Sequence, residues 1–170
     1  NYIHNQNLQY FSIISLSYFT NVCLIIAVFA QIHFNIFKIP HNEDPLNKLM
    51  GWHMTASQIE NSVNSFGYKL PKFIISREYQ LSSALALYMK NKPIPHSIEK
   101  PERNKWSPIE DIKKNGAIIV CKINDCENTL KKAKNRFNND IIPLSKITTT
   151  IREKVIRKIY IHYLQPKYKL

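Results

Sequence analysis

The chain has 170 residues, a hydrophobic share of 44%, and 24 Lys and Arg against 12 Asp and Glu, giving a net charge of +12. That length fits one ordinary domain plus an appendage. Its 3 glycines exclude a glycine-rich phosphate loop, and neither GxGxxG nor GxxxxGK[ST] occurs.

The charge is unevenly placed. No Lys, Arg, Asp or Glu lies between Asn1 and Phe37, and every formal charge lies at Lys38 or beyond. A basic half of this kind attracts nucleic acid, anionic lipid or acidic glycan when its charges gather on one face. Here the lysines are scattered, which favours plain compositional drift. Because the chain starts at Asn1, it is expected to be a piece of a longer protein.

Phe11 to Phe37 is uncharged and exceeds the ~20 residues that a bilayer crossing requires. Asn21, Gln31, His33 and Asn35 interrupt it, and such groups usually face other helices or the interface. Tyr10, Tyr18, Phe34 and Phe37 suit interfacial belts. A secretory signal is a weaker reading, since Val28-Phe29-Ala30 offers small residues but no positive n-region precedes it. A buried soluble helix is weaker still, given the length and the lack of charge. The expected organisation is a membrane helix over residues 1–37, a linker over 38–44 and a soluble domain over 45–170.

Pro45 opens a predicted helix that runs to Gly67, with Leu46, Leu49, Met50, Ile59, Val63 and Phe66 at roughly helical spacing. Lys72–Ser76 reads as a strand and Glu78–Met89 as a helix. "IPHSI" is a short strand, and Glu99–Asn115 is a polar loop in which Glu110 and Asp111 resemble helix-start residues. "GAIIVCKI" is an unbroken apolar run, as expected of a strand buried on both faces. Asp125–Phe137 is a helix. "DIIPLSKITTTI" and "KVIRKIYIHYLQPK" form an antiparallel hairpin turning near Arg152-Glu153, although their alternation is not clean. The fold class expected is α/β: a small, three-layer-like soluble domain with a mostly parallel core sheet and a C-terminal antiparallel hairpin, preceded by one transmembrane helix.

The turn at Ser76-Arg77-Glu78 joins a strand to a helix, where many proteins hold a phosphate. Ser76 is the expected N-cap, and Glu78 places the turn's own anion near the helix dipole. That disfavours a second anion there. Arg77 has the fork geometry to clamp a carboxylate or phosphate, or else pairs within the domain. In "ERNKWSP", Arg103, Asn104 and Lys105 are donors beside the indole of Trp106, the combination that meets a sugar face. The competing reading has Trp106 plugging the loop onto the core. Trp52 is expected in the core or near the membrane. The substrate-binding candidates are therefore Arg77, Arg103, Asn104 and Trp106. No catalytic residue is assigned. Cys121 and Cys126 read as two small buried residues, with a bridge as the alternative in an oxidising compartment. Cys121, Cys126, His96 and His162 lack ligand-pair spacing, so no metal and no cofactor is assigned.

The order of these features resembles a known family. "DPLNKLMGW" follows an apolar span, then "KFIISREYQLSSALALYM", a polar "RNKW" loop, "GAIIVCK", a helix ending in "NRF" and a closing hairpin. This is similar to the C-terminal end of bacterial membrane glycosyltransferases related to dolichyl-phosphate-mannose protein mannosyltransferases and to the lipid A aminoarabinose transferase. Ser76, Tyr79, Gln80, Ser83, Leu85, Ala86 and Tyr88 match the family's strand-helix pattern, whereas the "RNKW" loop is shorter than its family counterpart. The resemblance implies the last span and soluble C-terminal domain of an enzyme that uses a polyprenyl-phosphate-linked sugar. That domain would not be catalytic by itself, because the family's catalytic acid lies in an earlier external loop. The implied partners are the lipid bilayer, the remaining membrane domain of the same protein, and a lipid-linked sugar or envelope glycan; no nucleic acid is expected. The implied location is the bacterial inner membrane, with the domain on the periplasmic or external side. The lysine-rich flank points to the cytoplasm instead, a signal that counts little for long domains. The alternative function is a membrane-tethered basic binding module for anionic lipid, glycan or nucleic acid.

Overall fold

A computed structural model describes residues 2–34, 36, 49–151 and 153–167. The chain divides into two units, Asn1–Leu46 and Asn47–Leu170. The first unit holds helix α1, Tyr2–Phe34. Within it, Ser12–Gln31 is long and apolar enough, by length and composition, to cross a membrane. Its large apolar side chains stand exposed, among them Ile14, Phe19 and Ile25. The polar interruptions are partly absorbed by the helix itself. Thr20 Oγ1 donates to the Leu16 carbonyl at 2.8 Å, and Asn21 Nδ2 donates to the Ser17 carbonyl at 3.0 Å. Returning a polar group to its own helix backbone removes most of the cost of placing it in an apolar medium. Asn35, Phe37, the Lys38–Asp44 linker and Pro45 lie outside the described residues, as does the His33 side chain.

The second unit is a mixed α/β fold. Its helices are α2 (Trp52–Ser65), α3 (Tyr79–Tyr88), α4 (Ile109–Asn115) and α5 (Cys126–Phe137). Its strands are β1 (Phe73–Ser76), β2 (Ile94–Ser97), β3 (Ala117–Lys122), β4 (Ile141–Ile151) and β5 (Lys154–Leu164). They form one five-stranded sheet in the order β2-β1-β3-β5-β4. β1 runs parallel to both β2 and β3, whereas β5 is antiparallel to β3 and to β4.

Two corrections concern element boundaries. α2 begins well inside the expected Pro45–Gly67 range, because Gly51 adopts a left-handed φ of 74° immediately before it. The positive φ favours glycine there, and a Cβ would in addition require the Ile156 side chain to shift. At the other end Gly67 ends the helix as expected. Its N–H donates to Asn64 O at 2.9 Å and the Tyr68 N–H donates to Val63 O at 3.2 Å, the hydrogen-bond pair of a Schellman motif. The polar stretch Glu99–Asn115 is not all loop: it ends in α4. Glu110 and Asp111 sit in that helix's first turn and Lys113 and Lys114 in its last, each complementing the helix dipole.

The core lies on both faces of the sheet. Ile74, Ile118, Val120, Ile159 and Ile161 pack with Ile59, Val63, Leu81 and Leu85 of α2 and α3. Phe73, Ile75, Ala117 and Ile119 pack with Ile112, Ala133 and Phe137 of α4 and α5. Alternate residues of β1 and β3 thus serve opposite faces, which is why both read as unbroken apolar runs. Each fully buried Ile, Leu or Phe contributes roughly 1.5–3 kcal/mol.

The hairpin turns at Glu153, φ 64°, with Ile151 opposite Lys154. Register shifts between Pro143 and Ser145, and between Thr149 and Thr150, reset which face the side chains occupy. Those shifts account for the imperfect alternation in the sequence. Pro143 is tolerated because β4 is an edge strand.

Candidate functional site

The strand order reverses about β1. The chain leaves β1 through α3 to reach β2 on one side, then passes through α4 to reach β3 on the other. In open α/β sheets the crevice at the carboxyl ends of the strands flanking such a reversal is the usual ligand position. Here the crevice lies between the Ser76-Arg77-Glu78 turn after β1 and the Lys122–Asp125 segment after β3.

That crevice is filled by the chain's own charges. Arg77 Nε pairs with Glu99, which follows β2, and Arg77 Nη1 pairs with Asp125, which follows β3. One guanidinium therefore ties together the ends of all three parallel strands. Its two carboxylates hold Arg77 protonated far above any accessible pH, Asp125 being the stronger influence and Glu99 the next. Arg77, in turn, holds the Glu99 carboxyl below the usual carboxylate range, with Lys132 Nζ a second partner at 3.2 Å. Lys122 Nζ pairs with Glu78 at 2.9 Å. An incoming phosphate or carboxylate would compete with these two carboxylates for Arg77.

Ser76 does not cap α3 in the expected way. The N-cap position falls on Glu78 in extended conformation, with no side-chain cap bond from it. Ser76 Oγ instead accepts from the Ser82 N–H at 3.2 Å and donates to the Glu78 carbonyl. The Glu78 carboxylate, expected to face the helix dipole, is engaged by Lys122.

The "ERNKWSP" loop divides into an inner and an outer half. Asn104, assigned from sequence to substrate, belongs to the inner half. The Ser97 N–H donates to Asn104 Oδ1 at 2.8 Å, and Asn104 Nδ2 donates to the Ser97 carbonyl at 2.7 Å. Ile94 and Ile98 donate their N–H groups toward the β1 side, so Ser97 faces the open edge of the sheet. Asn104 there takes the place of a missing strand.

Asn104 also orders His96, which is fully buried. His96 Nδ1 lies 2.9 Å from Ser107 Oγ and Nε2 lies 3.3 Å from Asn104 Nδ2. Since the amide nitrogen can only donate, Nε2 accepts and the proton sits on Nδ1. The ring is therefore neutral. Burial, reinforced by Arg136 and only partly opposed by the Ser107 hydrogen bond, pushes its pKa down to about 4.

The outer half faces solvent. Trp106 is 80% exposed, so it does not plug the loop onto the core. Arg103, exposed, carries its guanidinium 5.7 Å from the centre of the Tyr79 ring. Of the four residues assigned from sequence, Arg77 and Asn104 are committed to internal partners, whereas Arg103 and Trp106 present a cation and a flat apolar ring to solvent. Such a surface can stack on a sugar face or ring and donate to its hydroxyls.

Trp52 packs against the α2–α3 side of the core. The Arg157 guanidinium lies 3.5 Å from its ring centre and donates to Thr55 Oγ1 and the Met50 carbonyl. Nothing in the local sequence pairs Arg157 with Trp52; the hairpin register does.

Cys121 and Cys126 are joined as a disulfide, their Cα atoms 4.9 Å apart, rather than standing as two separate buried thiols. His162 Nε2 lies 3.4 Å from Cys126 Sγ, and burial lowers the pKa of that ring. Sequence spacing gives no hint of this, because β3–β5 pairing brings His162 to the cysteines. His96 does not join them.

No protein-family model, curated protein or solved structure matches the chain.

Proposed function

We propose that the chain is the accessory, non-catalytic C-terminal part of an integral-membrane glycosyltransferase that uses a polyprenyl-phosphate-linked sugar donor. In this reading α1 is the last span. Residues 45–170 form a soluble, three-layer domain on the periplasmic or external side of a bacterial inner membrane. The ordered resemblance from Asp44 to Tyr88 after an uncharged apolar helix carries the proposal. Two structural features agree with an accessory role. At the switch point Arg77, Glu99 and Asp125 are paired with one another, as a structural joint requires. The outward Arg103 and Trp106 suit contact with a glycan or with the membrane domain of the same protein.

The test has two arms. Residues 38–170 expressed alone fold to a monomer and transfer no sugar from a polyprenyl-phosphate donor; robust transfer by this piece overturns the accessory role. The family reading requires coding sequence upstream of Asn1 for several further membrane spans, with an acidic residue in an early external loop. A coding region without such spans overturns the family reading. The rival reading, a basic binding module, rests on the net charge of +12. It requires binding to RNA or anionic vesicles that weakens steeply with salt.

A further inference from the structure

A second group of side chains, flanking the Lys122–Asp125 segment and apart from the Arg103–Trp106 surface, has a chemistry of its own. Cys121 lies near the end of β3, Cys126 opens α5, and His162 projects from β5. His162 pairs with Ile119, two residues before Cys121, so both side chains lie on the sheet face that carries α5. The two sulfurs and a ring nitrogen all lie within 4.8 Å of one another. Both cysteines are buried and His162 is half-buried.

We propose that Cys121, Cys126 and His162 form a redox-gated site for a thiophilic cation, Zn²⁺ or Cu⁺, which the reduced chain holds and the disulfide form releases. Two thiolates and an imidazole are a ligand set for closed-shell, soft or borderline cations, and with zinc such a set leaves one position for water. Cys126 sits at the N-terminus of a 12-residue helix, whose dipole favours the thiolate over the thiol. The 3-10 turn Ile123–Asp125 is the whole connection between the two cysteine-bearing elements, so both sulfurs stay on one side whether bonded to each other or to an ion. Metal loading displaces one proton from each thiol. Oxidation by a low-molecular-weight disulfide joins Cys121 to Cys126, breaks the small disulfide into two thiolates that take up two protons from solvent, and expels the ion because the bridged sulfurs are no longer thiolates. A dithiol reductant reverses the exchange.

The experiment uses the full chain in detergent, in a Cys23→Ser background that removes the remaining free thiol. After phosphine reduction and desalting without oxygen, the chain is titrated with Zn²⁺ against a chromophoric chelator, and separately with Cu⁺ against a copper(I) chelator. One ion per chain is expected from at least one arm, with the tighter arm naming the metal, and none after oxidation with glutathione disulfide. His162→Ala weakens binding at least about tenfold, since even partners outside the ligand shell cost that much. So that neither site cysteine has to be substituted, the parent is also read directly: bound metal slows iodoacetamide labelling of Cys121 and Cys126. Failure of the reduced chain to take either ion overturns the proposal. Equal uptake by the oxidised chain, or unchanged affinity in a folded His162→Ala variant, does the same.

Discussion

Asn104→Ala separates a substrate contact from a structural one. The amide closes two hydrogen bonds with the Ser97 backbone, at 2.8 and 2.7 Å, on the open edge of β2. Ser97 itself is buried, so removing the amide leaves an N–H and a carbonyl without partners. Each such group costs about 1–3 kcal/mol. The variant also takes away the Nδ2 donor that faces His96 Nε2. Partial access of water to a sheet edge offsets some of this loss, giving an expected destabilisation of about 2–4 kcal/mol. For a unit of this size that lowers Tm by roughly 10 °C. Trp106→Ala in the same loop is the control: the ring is 80% exposed, and its loss shifts stability by less than about 0.5 kcal/mol. Urea unfolding of residues 38–170 followed by circular dichroism reads both. If Asn104→Ala unfolds together with the parent, the strand-substitute role is wrong, and the amide is available to a ligand after all.

Acidification probes His96. The folded ring titrates at about 4 and the unfolded ring near the ordinary 6.5, so between those values the unfolded chain takes up a proton that the folded chain refuses. Stability is therefore full above about pH 6.5 and declines as pH falls toward 4, by on the order of 3 kcal/mol from this group. His162, also lowered by burial, acts in the same sense. A His96→Gln variant should show a shallower decline in urea midpoints between pH 7 and 4.5; an unchanged slope refutes the assignment. Phe137→Ala empties a fully buried position under the sheet and should cost about 3–5 kcal/mol, checked by the same unfolding curves. Arg157→Ala removes the cation from the Trp52 face and two hydrogen bonds. It should destabilise by about 1–2 kcal/mol and alter the iodide-resistant part of the tryptophan emission, because Trp106 supplies the exposed part; an unaltered resistant component contradicts the stacking.

The elements legible in the sequence were those whose signal is local. Phe73–Ser76 and Ala117–Lys122 are apolar runs between breakers, and Gly67 ends α2 through a hydrogen-bond pair made within one turn. What escaped depends on register or on distant contacts. The left-handed Gly51 lies beside Ile156 of the hairpin, a neighbour that only the fold supplies. His162 meets the cysteines only because β5 lies antiparallel to β3. α4 was hidden because only Ile112 of its residues is buried, so it carries almost no apolar periodicity.

The candidate site shows the same division for a chemical reason. Side-chain type indicates what Arg77 and Asn104 can bind, but not whether the fold has already provided it. A guanidinium beside two carboxylates, and an amide facing a bare strand edge, are satisfied at folding, so their capacity for recognition is spent internally. Arg103 and Trp106 are less committed: the loop closes through Asn104 and Ser107, Trp106 is left outward, and exposed Arg103 rests over the Tyr79 ring. The proposed glycan-facing or protein-facing role therefore points to the tip of that loop first. Arg103→Ala and Trp106→Ala should then reduce activity of a complete transferase while leaving the stability of residues 38–170 unchanged. Arg77→Ala should instead loosen the junction of three strand ends, and lower activity only as far as it lowers folding. Equal activity losses in all three variants with no change in unfolding would reverse the assignment and return Arg77 to the binding surface.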